Sequence, residues 1–365
     1  MTESDSAAVR AARHSGVEDV TMPGESHTMT QVSEPYLRQR LEKRRDELTI
    51  ACAECAPAPA PFVELLQEVD SAIHRIDEGA FGVCEECHGT VENERLISDP
   101  LARVCLDCLS DAEKRALEQD LELAARVQRS LLPATDVRFE DWQIGYEYKA
   151  AGLVSGDHCD LILPSKSDGK LVFLVGDVAG KGVAASLLMT HLHAMFRSLA
   201  SVDLDLEKLL EHANRLFCES TTAGQYATLI CGRAGRWGEI EIGSAGHFPA
   251  LHVAKDGVKE LHSTGLPLGM FSNSRYAVRR ARLDPGDSLL LYTDGISEAR
   301  NPEGREYGIA QLARAAGQRH ASAPRELLAA CMNDLERFSS SSRLADDQTL
   351  MAIHRADSTG AFLSY

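Results

Sequence analysis

The chain has 365 residues, with 38 basic against 55 acidic side chains and a formal net charge of −17, so binding of nucleic acid by a basic surface is not expected. No run of about 18 apolar residues occurs, and the opening MTESDSAAVRAARHSG lacks the apolar segment of a signal peptide. The expectation is a cytoplasmic protein with no membrane partner, long enough for one substantial core plus a smaller module.

Residues 1–32 are polar, mixed in charge and without period, and read as a disordered tail. From Ser33 the pattern becomes helical: Ser33 can cap, Pro35 suits a first turn, and Leu37, Leu41 and Leu48 recur near helical spacing. The segment CAPAPAPF (Cys55 to Phe62) interrupts it. A second helix then carries Phe62, Leu65, Val69, Ile73 and Ile76 on one stripe. Two amphipathic helices joined by a Pro/Ala loop predict an antiparallel hairpin. Cys52 and Cys55 form a CxxC near its tip with no second pair beside them, which leaves both a bland and a redox or accessory metal reading.

Cys84-x-x-Cys87 and Cys105-x-x-Cys108 follow, two knuckles separated by 17 residues. Four thiolates so spaced can close a tetrahedron around one Zn2+ and leave no open position, so the predicted site is structural. Gly82 and Gly89 allow tight turns beside the first knuckle. The hairpin with FGVCEEC, the downstream ERL and the second knuckle resembles the DksA/TraR zinc-finger family over about residues 34–110. The resemblance implies action on RNA polymerase through acidic residues at the hairpin tip. Here the tip, ACAECAPAPA, carries Glu54 and no Asp, which argues against that partner. The module is placed at residues 33–109.

Ser110-x-x-Glu113 is a capping box that opens a linker helix over residues 110–132, stopped by Pro133. Leu117, Leu121, Ala124 and Leu131 form a narrow seam with Gln128 between them. Such a seam pairs two chains in a homodimer or packs on the following domain, and the pattern fits both.

Residues 133–356 change texture. IGYEYKAA, HCDLILP, LVFLV, ATLICGRAG, EIEIGSAG, PALHV and SLLLYTD read as strands, and Asp168-Gly169 as a hairpin turn that sets SGDHCDLIL antiparallel to LVFLVGD. Helices fit VAASLLMTHLHAMFRSLA, DLEKLLEHANRLFCES and PRELLAACMNDLERF. Hairpins interrupted by helix pairs predict an α+β layered domain rather than a parallel sheet. Residues 357–365 form a C-terminal tail. The organising stretch is LVFLVGDVAGKGVAASLL, a buried strand, a Gly-rich turn and a helix, with Asp177 at the strand's end. It lacks the G-x-x-x-x-G-K-[ST] spacing of a phosphate-cradling loop.

Asp157 in SGDHCD, Asp177, Asp294 in YTDG, and Asp346 and Asp347 in ADDQT each stand beside a strand end. Asp is common in turns, so any one could be turn chemistry. Together they form a carboxylate set that would repel itself unless hard cations neutralised it. Oxygen donors without His or Cys favour Mg2+ or Mn2+, and two such ions can activate water for in-line phosphoryl displacement.

SGDHCD, GDVAGKGVAAS, SAGHFPALHV, LPLGM, PGDSLLLYTDGISEARN and ADDQT, in this order after the helix LELAARVQRSLLP, resemble the SpoIIE/RsbU branch of the PPM protein serine/threonine phosphatases over about residues 120–356. The resemblance implies an α-β-β-α sandwich of two antiparallel sheets with a site for two Mn2+ or Mg2+ between them. It implies that Asp157 and Asp177 are bridging or near-bridging ligands, that the Val178 carbonyl contributes, and that Asp294 and Asp347, rather than Asp346, complete the set. The substrate it implies is a phosphoserine or phosphothreonine protein, an anti-sigma-factor antagonist. Two positions depart from the family: Ser155-Gly156 replaces a double Gly, and His158-Cys159 replaces an aromatic pair. Strand alternation turns His158 away from the face that bears Asp157. His247 reads as a turn brace rather than a catalyst. The alternative function is a catalytically silent phosphatase fold that binds RNA polymerase or another partner through the zinc module.

Overall fold

A computed structural model of the chain describes residues 30–54, 60–164, 169–202, 204–222, 224–340 and 344–356. The N-terminal tail up to residue 29, Cys55 and most of the hairpin tip, Asp168 of the predicted turn, and the C-terminal tail lie outside the described residues. The chain divides after Ala116 into two compact units.

In the first unit, α1 (Thr30–Glu54) and α2 (Ala60–Asp77) run antiparallel. An ion pair between Arg38 Nη2 and Asp77 Oδ1 at 2.7 Å joins the start of α1 to the end of α2. Leu41 and Leu48 interlock with Val69, Ile73 and Ile76 of the expected stripe and with Ala72, Leu65 is partly buried against them, and Phe62 at the start of α2 is exposed. The helix begins at Thr30, ahead of the predicted Ser33 cap, and Pro35 lies inside it. A proline this near a helix start removes only one backbone bond, so the preceding turn can still form. The short α3 (Asn93–Ser98) follows. Leu37, Val91, Leu96 and Ala102 pack around Cys84 and Cys105 as a second small core.

α4 (Asp111–Leu131) opens on the predicted box: the Ser110 N–H donates to Glu113 Oε2 at 2.9 Å and the Glu113 N–H returns a bond to Ser110 Oγ at 3.3 Å.

The second unit is built on β1 (Asp136–Phe139), β2 (Trp142–Lys149), β3 (Asp157–Ile162), β4 (Leu171–Val178), α5 (Gly182–Ala200), α6 (Leu206–Ser220), β5 (Ala227–Ala234), β6 (Glu239–Ala245), β7 (Ala250–Ala254) and β8 (Gly257–Leu261). It continues with β9 (Val278–Arg282), β10 (Ser288–Tyr292), α7 (Asp294–Ser297), α8 (Ile309–Gly317), α9 (Pro324–Ser339) and β11 (Gln348–Arg355). One sheet has the order β1-β2-β11-β10-β7-β8 and the other β3-β4-β5-β6-β9. Every pairing between these strands is antiparallel.

Period-2 alternation explains the layering. Cys159, Leu161, Phe173 and Val175 from one sheet meet Trp142, Ile144, Leu289, Leu291, Met351 and Ile353 from the other in the central core. The alternate residues Val172 and Leu174 face Met189, Leu192 and Phe196 of α5 and Leu209, Leu210 and Ala213 of α6. Leu251, Val253, Leu290 and Leu350 face Leu312 of α8 and Leu327, Leu328 and Met332 of α9. Each large apolar side chain so buried contributes about 1.5–3 kcal/mol. The result is the α-β-β-α sandwich of an α+β fold. Among the described residues, no helix is long and apolar enough to cross a membrane.

Candidate functional site

The first unit brings the two knuckles together. The Sγ atoms of Cys84, Cys87, Cys105 and Cys108 all lie within 4.8 Å of one another, and those of Cys87 and Cys105 are 3.7 Å apart. Backbone N–H groups pull the Cys84 thiol down to about 6, that of Cys87 foremost. The Cys105 N–H is 3.3 Å from the Cys84 sulfur. Four sulfurs, one already biased toward thiolate, are a donor set for a soft or borderline divalent ion.

In the second unit the antiparallel register of β3 and β4 sets Asp157 directly opposite Asp177. Asp157 shares a strand face with Cys159 and Leu161, so its carboxylate enters the space between the sheets. It is 1 % exposed. Thr293 Oγ1, just past β10, and Thr349 Oγ1 of β11 donate to its Oδ2 at 2.8 and 2.5 Å. Both hydroxyls come from the opposite sheet's strands or strand ends, which fixes this carboxylate across the sandwich.

Close backbone approach assembles the rest. A Cβ at Gly156 would stand 3.2 Å from the Val178 carbonyl oxygen and 3.4 Å from Asp177 Oδ1, so a side chain there would crowd both groups. A Cβ at Gly295 would lie 1.9 Å from the Asp347 carbonyl oxygen. The absence of one lets the start of α7, where Asp294 sits, press on the 346–347 backbone. Asp294 lies two residues beyond the end of β10 and opens a helix, rather than closing the strand as the sequence suggested.

The two adjacent carboxylates of ADDQT have different tasks. Asp347 accepts the Ala151 N–H at 2.7 Å on Oδ1 and the Gly156 N–H at 2.9 Å on Oδ2, which holds the loop before Asp157. Asp346 Oδ2 accepts from Lys181 Nζ at 2.8 Å. Asp346 also lines a cleft of about 280 Å³ with Lys181, Asp294, Gly295 and Glu298. A larger cavity of about 470 Å³ touches Ile162, Lys170 and Arg197, at the end of β3 opposite Asp157.

Electrostatics mark the carboxylates as strained neighbours. Burial raises Asp157 well above the usual carboxylate range, and Asp177 and Asp347 add to the rise. Asp177 is pushed up to about 7, by burial first and then by Asp294, Asp346 and Asp347, against the pull of Lys181. Burial, then Asp346, also raises Asp294.

His158 points to the far face of β3, as alternation required, and meets His193 of α5 at 5.6 Å between ring centroids. His247 is buried and bridges Thr228 Oγ1 of β5 at 2.8 Å and the Tyr292 carbonyl of β10 at 3.0 Å, so it braces the two sheets against each other rather than a turn. Burial pushes it down to about 4, so it stays neutral.

Sequence reasoning missed three supports. Gln128 of α4 is buried, donates from Nε2 to the Ser155 carbonyl at 2.7 Å and accepts the Ser155 N–H at 3.0 Å. Ser155 Oγ in turn accepts the Asp157 N–H at 3.1 Å. The signal was there as a polar residue inside an apolar seam. Thr293 and Thr349, in YTDG and ADDQT, gave none beyond adjacency to an Asp.

The sequence model of the family described as stage II sporulation protein E (SpoIIE) matches residues 167–356, 190 of the 365 residues. That of the prokaryotic dksA/traR C4-type zinc finger matches residues 79–114. Protein IcfG of Synechocystis is 27% identical over 265 residues, covering 65% of this chain and 41% of that protein. The phosphoserine phosphatase RsbU of Bacillus subtilis is 27% identical over 194 residues, covering 52% of this chain and 57% of that one. The crystal structure of the RsbU and RsbW domains of a Mycobacterium tuberculosis protein superposes with a TM-score of 0.51 at 31% identity, over 60% of this chain and 64% of that one. The chain spans about half the length of the curated relatives it matches.

Proposed function

The chain belongs to the SpoIIE family, and from that premise we propose that its second unit is a metal-dependent protein serine/threonine phosphatase. The substrate on this reading is a phosphoserine or phosphothreonine side chain of a regulatory protein, an anti-sigma-factor antagonist. The observation that carries the proposal is the gathering of Asp157, Asp177, Asp294 and the Asp346–Asp347 pair from two sheets around one end of the sandwich.

The donors fit two hard divalent cations. They are carboxylate and carbonyl oxygens only, and Asp157, Asp177 and Asp294 are all raised, by burial first and then by neighbouring carboxylates that a cation would neutralise. Asp177 with the Val178 carbonyl, Asp294, Asp157 and Asp347 are the proposed ligands for Mn2+ or Mg2+. Asp346 lines the cleft beside them and is engaged by Lys181 on Oδ2 and by the Asp347 N–H on Oδ1, so it stays outside the proposed ligand set. When bound, such cations supply water activation and charge neutralisation for in-line displacement at phosphorus.

The chain's own residues supply position. Thr293 and Thr349 lock Asp157, and Asp347 ties down the loop that delivers it. Lys181, held at the cleft by Asp346, offers an ammonium to an incoming phosphoryl group. The cleft has room for a single phosphorylated side chain.

The four-cysteine cluster is proposed to hold one structural Zn2+, and its unit to dock or regulate the phosphatase. Exposed Leu123 and Val127 on α4 leave an apolar strip that suits pairing with a second copy. The test of function is phosphate release from a phosphoserine protein in Mn2+ against EDTA. Loss in Asp177→Asn with retained fold supports the proposal, and equal rates in all cases reject it.

A further inference from the structure

The cluster on the other face of β3 has no part in the phosphatase chemistry. His158 and Asp160 of β3 and His193 of α5 each offer a ligand atom, and the three atoms lie within 4.8 Å of one another. His158 is 1 % exposed and Asp160 is fully buried. His158 Nε2 is buried without a hydrogen-bond partner, and so is His193 Nδ1. A buried imidazole nitrogen left unpaired is destabilising, and here two occur in one cluster beside a buried carboxylate.

Asp160 is pre-set to complete the group. Its Oδ1 accepts the Leu161 N–H at 2.8 Å and Arg197 Nη2 at 2.7 Å, so both lone pairs are used. Its Oδ2 accepts Arg197 Nε at 2.9 Å and keeps one lone pair, on the side where His193 Nδ1 stands 3.4 Å away. That separation, with no hydrogen bond formed, leaves room for an atom bonded to both.

We propose that His158, Asp160 and His193 form a second transition-metal site, of zinc-binding type, that clips β3 to α5. Two imidazole nitrogens and one carboxylate oxygen suit Zn2+ at bond lengths of about 2.0–2.2 Å, with water as the fourth ligand. The water enters beside His193, whose side chain is 12 % exposed while that of Asp160 is wholly enclosed. Arg197 is the built-in competitor: its guanidinium now neutralises Asp160, and with 45 % exposure it can give up a bond to solvent when the metal arrives. The site lies on the strand that carries Asp157 and on the helix that follows Asp177, so occupancy stiffens the join between the two elements that deliver those carboxylates.

The test uses the whole 365-residue chain with its cysteine site already loaded and millimolar Mg2+ present to hold the carboxylate site. Titration with zinc alone should show one further equivalent. His193→Ala should weaken it by at least about 100-fold, beyond the usual cost of losing an outer-shell partner. Arg197→Gln should tighten it by about tenfold or more, since a competing charge is removed. X-ray absorption of the further equivalent in the unsubstituted protein should show imidazole and oxygen scatterers without sulfur. No further equivalent, equal affinity in His193→Ala, or a shell of sulfur or of carboxylate alone would overturn the site. None of these readings depends on phosphatase activity.

Discussion

Removing the negative charge at Asp177 while keeping its shape, as Asp177→Asn does, should stabilise the metal-free protein. In the fold this carboxyl titrates near 7 against an ordinary 3.8, chiefly through burial. As pH rises from about 4, the unfolded chain ionises first and binds fewer protons than the native state, so stability falls through that interval and levels off above 7. A shift of about 3 units at about 1.4 kcal/mol each gives about 4 kcal/mol if the group is wholly shielded, and partial solvent access brings this to about 2–4 kcal/mol. The Asn variant lacks this penalty, though Asp157 and Asp294, also raised, leave a residual slope of the same sign. Mn2+ or Mg2+ should offset this advantage, adding about 2.7 kcal/mol to wild type at a hundredfold excess over Kd, about 4.1 kcal/mol at a thousandfold excess, and little to the variant. Urea unfolding followed by tryptophan fluorescence is the assay. The chain has two tryptophans, Trp142 buried in the central core and Trp237 exposed, so the signal reports the phosphatase unit alone. A metal-free Asn variant no more stable than wild type at pH 8, or an unchanged pH slope, would refute the reasoning.

Gln128→Ala should cost about 2–4 kcal/mol, because it strands a buried carbonyl and N–H at Ser155. It should also weaken metal binding, measured by calorimetric titration. Gly295→Ala places a Cβ where the Asp347 carbonyl stands and should lower kcat by about 100-fold or more through misplacement of the carboxylates, while circular dichroism stays native. Elemental analysis of protein purified without added metal should find one zinc held by the cysteine cluster. Cys84→Ser or Cys105→Ser should lose it and unmake the small core around Leu37, Val91 and Leu96, read as lost amide protection there.

The strands legible in the sequence were those with an unbroken or alternating apolar run, such as LVFLV of β4 and SLLLY of β10, whose side chains fill the layers. Of the strands not named from the sequence, β1, β8 and β9 lie at sheet edges, where one side lacks a neighbour and many side chains stay exposed, whereas β11 is central and buried. In β9 the sequence VRRAR carries arginines that pair outward, Arg280 with Glu241 at 3.2 Å, and no apolar period survives. Alternation sufficed to send His158 away from Asp157, since period 2 is set by backbone geometry. It could not divide the work between Asp346 and Asp347. Adjacent carboxylates in a loop are alike in sequence, and their roles follow from Lys181 and from the Ala151 and Gly156 N–H groups, all distant along the chain. Gln128 stood out as a polar residue in an apolar seam, but its task was unreadable for the same reason, because its partner Ser155 is 27 residues on.

The central claim is tested most directly by phosphate release from a phosphoserine protein, measured for wild type and Asp177→Asn with Mn2+ and with EDTA. Release by wild type in Mn2+, with its loss both in EDTA and in the folded Asn variant, is the predicted result. Undiminished release in EDTA, or from Asp177→Asn, would contradict the account.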